Sequence, residues 1–135
     1  MDAGPLVAWF CVQDSHHDWA TRTLDTLPAG VLVCEAVLAE ACHLVAKDGV
    51  PAGRILRLVE RNDLVLVTLA GEISAIRALM ERYADTPMDF ADACVVRMAE
   101  LQPDTTVCTT DGHFRFFRKH SREPIPLLAP FDGQA

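Results

Sequence analysis

The sequence predicts an α/β domain built on a mainly parallel sheet, and two observations carry that prediction. Short apolar runs at residues 31–33, 64–68, 106–109 and 125–128 alternate with longer segments of helical periodicity. Such runs suit strands buried between layers of helix, where neither face meets water. The chain has 135 residues, half of them hydrophobic, which is one domain's length (1–135) with enough apolar material for a core. No internal repeat, low-complexity segment or linker interrupts it.

Each element follows from local chemistry. Pro5 is tolerated in the first turn of a short apolar helix carrying Leu6, Val7, Trp9, Phe10 and Cys11. Residues 16–27 are amphipathic, with Trp19, Ala20, Thr23, Leu24 and Leu27 facing in. Pro28, Ala29 and Gly30 end that helix before the 31–33 strand. Residues 35–46 form a helix stopped by Asp48 and Gly49, and Pro51 opens another that runs to Arg61. Arg54, Arg57 and Arg61 recur on its outer face as a solvated stripe. The 64–68 strand leads into a helix over 72–83. Pro87 biases its neighbour away from the helical region, so the next helix starts after it, with Asp89 as N-cap and Asp92 three residues on. The 106–109 strand follows, then a short aromatic helix over 112–119, then an edge strand at 125–128, where Pro126 is tolerated.

Bulk properties narrow the function. The formal charge of -7 argues against nucleic-acid binding by bulk charge, so any such contact needs a local basic patch. The five cysteines (Cys11, Cys34, Cys42, Cys94 and Cys108) are odd in number, lack C-x-x-C spacing and mostly sit in apolar runs. They read as reduced core residues of a cytoplasmic protein. No stretch approaches the twenty apolar residues of a membrane span, and Asp2 stands where a signal peptide is basic.

Four acids occupy equivalent places. Asp2 precedes the first helix. Glu40 lies among Leu38, Ala39 and Ala41 in the helix after the 31–33 strand. Asp92 falls in a first helical turn, and Asp111 ends the 106–109 strand segment. In a parallel sheet the carboxyl ends of the strands share one edge, so these acids can converge there. Asp89 and Asp92 also suit the helix dipole simply as caps. An unpaired buried carboxylate at Glu40 is costly, and an arginine, a helix end or a metal satisfies it. Convergent carboxylates suit a hard cation such as Mg²⁺ or Mn²⁺, which takes oxygen ligands.

These residues carry a resemblance. The segments Asp2-Ala3-Gly4-Pro5-Leu6-Val7-Ala8, Val37-Leu38-Ala39-Glu40-Ala41, Pro87-Met88-Asp89-Phe90-Ala91-Asp92-Ala93 and Thr109-Thr110-Asp111 followed by Phe114 resemble, in order, the PIN-domain ribonucleases of the VapC toxin type. The resemblance implies a three-layer α/β/α sandwich with a five-stranded parallel sheet of order 3-2-1-4-5. It implies a Mg²⁺-dependent (or Mn²⁺-dependent) endoribonuclease leaving a 5′-phosphate and a 3′-hydroxyl. It further implies a homodimer and a protein antitoxin that blocks the activity in a bacterial or archaeal cytoplasm. Asp2, Glu40, Asp92 and Asp111 match the metal-binding catalytic acids, Thr109 the hydroxyl beside the last, and Asp89 an auxiliary acid. Such proteins carry three to five apolar residues before the first aspartate, forming the central strand, whereas Met1 alone precedes Asp2 here. The expectation is therefore that the natural product starts upstream of Met1, or that the first strand is badly shortened.

The dense basic stretch over 113–122 interleaves Arg115, Arg118 and Lys119 with Phe114, Phe116 and Phe117. The cations are candidates for holding an RNA backbone, and the phenylalanines are expected in the core. Apolar helix faces at 56–59 and 73–79 are candidates for the dimer interface. A phosphoacceptor receiver module is the rival from another class, but it needs a lysine after the last strand, and the 125–128 strand has none. A catalytically inert PIN fold that only binds RNA or protein is the remaining alternative.

Overall fold

The computed structural model describes residues 1–131. Helix α1 (Ala3–Phe10) starts at Asp2, whose side chain accepts the Ala3 N–H. Helix α2 (His17–Leu24) packs across it. Strand β1 (Val31–Cys34) runs into α3 (Glu35–Lys47), which buries Val37, Ala41 and Val45 at helical spacing. Helix α4 (Gly53–Glu60) turns Ile55 and Leu58 inward and leads to β2 (Leu64–Val67). A 3-10 turn at Ala70–Glu72 precedes α5 (Ile73–Arg82), and α6 (Phe90–Leu101) follows. Helix α6 is buried along most of its length, with seven of its twelve residues in the interior.

Strand β3 (Val107–Cys108) is followed by a second 3-10 turn, Gly112–Arg115. Strands β4 (Arg118–Lys119), β5 (Glu123–Pro124) and β6 (Leu127–Leu128) close the described chain. The continuous aromatic helix expected over 112–119 does not form: the turn stops at Arg115, and Arg118 and Lys119 pair antiparallel with β5. His120 and Ser121 both take positive φ, 50° and 69°, between these strands. Two consecutive residues of that kind make the turn that suits a hairpin's twist. The usual Asn-Gly or Asp-Gly signal is absent, which is why this hairpin could not be read from the sequence.

The α/β class is as expected, but the sheet is not continuous. Among the described residues the strands form three separate pairs: β1 parallel to β2, β3 parallel to β6, and the β4–β5 hairpin. Met1 and Asp2 bridge the two parallel pairs. The Met1 ammonium donates to the Leu32 carbonyl at 2.8 Å, and the Asp2 N–H donates to the Cys108 carbonyl at 2.9 Å. The spatial order is thus β2, β1, Met1–Asp2, β3, β6, with two residues standing in the central place. The main core lies around them, filled by Leu6, Val33, Val37, Val96, Phe114 and Phe117, all with no exposure.

Candidate active site

The site is assembled where β1, β3 and the Met1–Asp2 bridge end. Asp2 is buried, with both oxygens engaged: Oδ1 accepts the Ala3 N–H at 2.8 Å, and Oδ2 accepts the Thr109 hydroxyl at 2.7 Å. Thr109, fully buried, accepts the Asp111 N–H at 2.9 Å through the same oxygen. One hydroxyl therefore ties the start of α1 to the loop after β3. That junction is tight: a Cβ on Gly4 would press on the Thr110 hydroxyl, so a larger residue there would force the Thr110 side chain to shift.

Asp89 and Asp92 form a reciprocal capping box at the start of α6. Asp89 Oδ1 accepts the Asp92 N–H at 2.8 Å, and Asp92 Oδ2 accepts the Asp89 N–H at 3.1 Å. Asp111 caps the 3-10 turn: its Oδ1 accepts the His113 N–H at 2.9 Å and contacts His113 Nδ1 at 2.7 Å. Glu40 is half-buried on α3.

The acids feel one another. Burial is the main cause raising the pKa of Asp2, which the Thr109 and Ala3 hydrogen bonds partly offset, and the charge of Asp111 adds to the rise. Glu40 is raised by burial, then by the charges of Asp89, Asp2 and Asp111. Asp92 is pushed up to about 7, chiefly by burial, with Asp89, Asp2 and Asp111 adding to it. Asp2, Glu40 and Asp92 are thus each held above the usual carboxylate range, by burial first and then by the charge of neighbouring acids.

Among the described residues no three His, Cys, Asp or Glu side chains are grouped closely enough to form a ready-made metal cage. The donors present are all hard carboxylate oxygens. That set suits Mg²⁺, which keeps several waters and touches only one or two carboxylates directly, better than a soft or closely caged ion. The cysteines offer no alternative chemistry: all five are free, and burial pushes the Cys94 thiol up to about 12 and Cys108 to about 11.

The basic candidates divide. Arg115 is exposed, its guanidinium 4.8 Å from the centre of the Phe131 ring. Arg118 is half-buried and donates to the carbonyls of Arg115 at 2.8 Å and Phe117 at 3.0 Å, so it clamps its own segment. Lys119 is half-buried in β4. Phe114 and Phe117 are core residues, but Phe116 is exposed, against the expectation for all three. His113 was not singled out as a partner of Asp111; its position two residues on, in a turn, was the available signal.

Residues 1–119 match the PIN domain model, and the chain belongs to the PIN domain family. PIN domains are typically nucleases that bind RNA and usually use divalent metals. No curated protein matches the chain. Among the described residues no helix is long and apolar enough to cross a membrane.

Proposed function

We propose that this chain is a Mg²⁺-dependent (or Mn²⁺-dependent) endoribonuclease, the toxin of a type II toxin–antitoxin pair acting in the cytoplasm. The observation that supports the proposal is geometric: Thr109 ties Asp2 to the Asp111 backbone, the capping box holds Asp92 at the start of α6, and the charges of Asp2, Asp89 and Asp111, after burial, raise Glu40 and Asp92. Asp2, Glu40, Asp92 and Asp111 would hold the cation, with Asp89 and Thr109 in support. The cation supplies charge neutralisation for a phosphodiester and acidifies water beside it. The chain's own residues do the positioning. Thr109 fixes Asp2 and the Asp111 backbone relative to each other, and the capping box fixes Asp92 on the rigid start of α6. Arg115 and Lys119 are the cations nearest in sequence to Asp111 that an RNA backbone would use.

The antitoxin reading rests on charge. A surplus of acids attracts an arginine or lysine from a partner, which crowds the ion out. The homodimer reading rests on apolar side chains left exposed at Leu56 and Ile73. The deciding experiment is cleavage of RNA with Mg²⁺ or Mn²⁺, with and without chelator. No cleavage at all would favour the inert binding module, and chelator-insensitive cleavage would overturn the metal dependence. Light scattering and co-expression with the neighbouring gene test the dimer and the antitoxin.

A further inference from the structure

The arginines of α4 are exposed, as a solvated stripe should be, but they also line a cleft. Arg54, Arg57 and Arg61 face Trp9 and Phe10, the end of α1, across a space of about 340 Å³ that Leu58 completes. Helix α1 starts at Asp2, so roughly 10 Å of helix separates the cleft from the acid edge. Asp63, the partner of Arg61, directly precedes β2, which puts the cleft toward the opposite ends of the parallel strands.

The three cations are not equivalent. Arg61 is committed to Asp63, its Nη2 and Nε donating to Oδ2 at 2.6 Å and 3.0 Å. Arg54 lies over the Phe10 ring, its guanidinium carbon 5.2 Å from the centre, and Trp9 stands against the same ring at 5.3 Å between centres. Stacking uses the face of a guanidinium and leaves the N–H edge available. The Arg57 side chain has no hydrogen bond, ion pair or ring contact among the described residues. Two open guanidinium forks, three residues apart on one helix, therefore stand as neighbours beside an aromatic pair.

Charge and size say what fits. Two unshared positive charges match the charge of about -1.5 to -2 on a phosphate monoester, whose oxygens the arginine fork takes in pairs. Trp9 offers a flat apolar surface for a planar ring. The volume lies at the small end of ligand pockets. A long polyanion fits worse. Asp48 accepts a hydrogen bond from the thiol of Cys11, which directly follows Phe10, and Glu60 and Asp63 flank Arg61. Phosphates beyond the cleft would meet carboxylates on both sides.

We propose that this cleft binds a nucleoside monophosphate, with its phosphate on Arg54 and Arg57 and its base against Trp9. The site lies away from the acid edge and does not rest on the nuclease reading.

The test titrates adenosine monophosphate into the full chain, in chelator so that no metal can hold phosphate at the acid edge. Trp19→Phe leaves Trp9 as the only tryptophan, so its fluorescence reports the cleft. Adenosine, inorganic phosphate and unstructured RNAs of increasing length are the comparators, each measured by calorimetry as well. The monophosphate should quench Trp9 and bind more tightly than adenosine or phosphate. Arg54→Gln and Arg57→Gln should each weaken it roughly ten-fold, and Arg57→Lys should recover only part of that loss. Arg57 holds nothing in the fold, so its variant decides the matter even if Arg54→Gln disturbs the packing on Phe10. No binding to wild type, an unmoved Trp9 signal, or unchanged affinity in Arg57→Gln would overturn the proposal. Inorganic phosphate bound as tightly as the monophosphate would overturn it too, by making the cleft a plain anion site. Affinity that climbs with RNA length would do the same, by making the arginines a polyanion track.

Discussion

At the carboxyl ends of the parallel strands four of the acids are fastened by hydrogen bonds. Asp2, Thr109 and Asp111 form one hydrogen-bonded chain, and Asp89 and Asp92 lock each other. A few ångströms back along the same strands the arrangement is loose. Met1 alone lies between β1 and β3, and it lines two cavities, of about 240 Å³ and about 210 Å³. The larger is walled by apolar side chains including Leu32, Val95, Met98 and Val107. Strands alternate their backbone groups, and Leu32 and Cys108 turn theirs toward this gap. The site edge thus needs only two residues of central strand to be built, while the interior of the sheet needs more. Positioning chemistry and filling a core are separate demands on the same strand.

The largest effect should come from the fastened edge. Asp92→Asn keeps the cap, since asparagine caps about as well as aspartate, so the fold should survive. It removes a charged oxygen from the cluster, and metal-assisted cleavage should fall by roughly two orders of magnitude or more. Asp89→Asn should cost less. Undiminished cleavage by Asp92→Asn, measured on RNA with Mn²⁺, would detach the acid cluster from the chemistry.

Next comes Thr109→Val, which keeps the shape and deletes the hydroxyl. It strands Asp2 Oδ2 and the Asp111 N–H in a buried site, a loss of about 1–3 kcal/mol in urea unfolding. Stability unchanged within error would show that the Asp2–Asp111 junction is held by packing instead.

How much of this could be read beforehand follows the same division. Asp89 and Asp111 could be placed beforehand because each is pinned to an element end, Asp89 by Pro87 and helix periodicity and Asp111 by the end of an apolar run, while Glu40, mid-helix, was marked only by its apolar neighbours. Thr109 was legible only through resemblance, because a lone threonine in a strand has no pattern of its own. The β4–β5 hairpin was not legible, since His120 and Ser121 adopt positive φ without being glycine or asparagine. Phe116 was misplaced because an F-x-F-F run has the same composition whichever ring faces out; the break of the 3-10 turn at Arg115 decides it.

A smaller effect addresses the gap. Adding four β-branched apolar residues ahead of Met1 should let the chain run on between β1 and β3. Burial of the new side chains, less the cost of ordering them, gives a gain on the order of 2 kcal/mol. A Gly-Ser extension of equal length removes the same terminal charge but brings no apolar surface, and should gain much less. Equal unfolding midpoints for the two extensions would mean the gap is not a strand position.

The smallest effect sets the two regions against each other through pH. At the acid edge, Asp92 titrates near 7 in the folded protein and near 4 when unfolded, so between those values the folded state holds more protons. By linkage its contribution to stability is complete below about 4 and is lost as pH rises toward 7. In the gap the sign reverses. Burial lowers the pKa of the Met1 ammonium below its ordinary value near 8, so the folded state holds fewer protons there, and stability is lost as pH falls below 8. Metal-free protein should therefore show opposing slopes that partly cancel, the Asp92 slope being modest because that side chain is half open to solvent. The two changes already described separate them. In chelator, Asp92→Asn should flatten the loss of stability between pH 5 and about 7, and the Gly-Ser extension should flatten the gain between about 7 and 8. Excess Mg²⁺ should act like the first variant, because a cation favours the ionised cluster. Thermal melts across that range, with each change alone and combined, are the measurement. A pH profile that neither change alters would show that the two regions are not electrostatically strained in the way their burial implies.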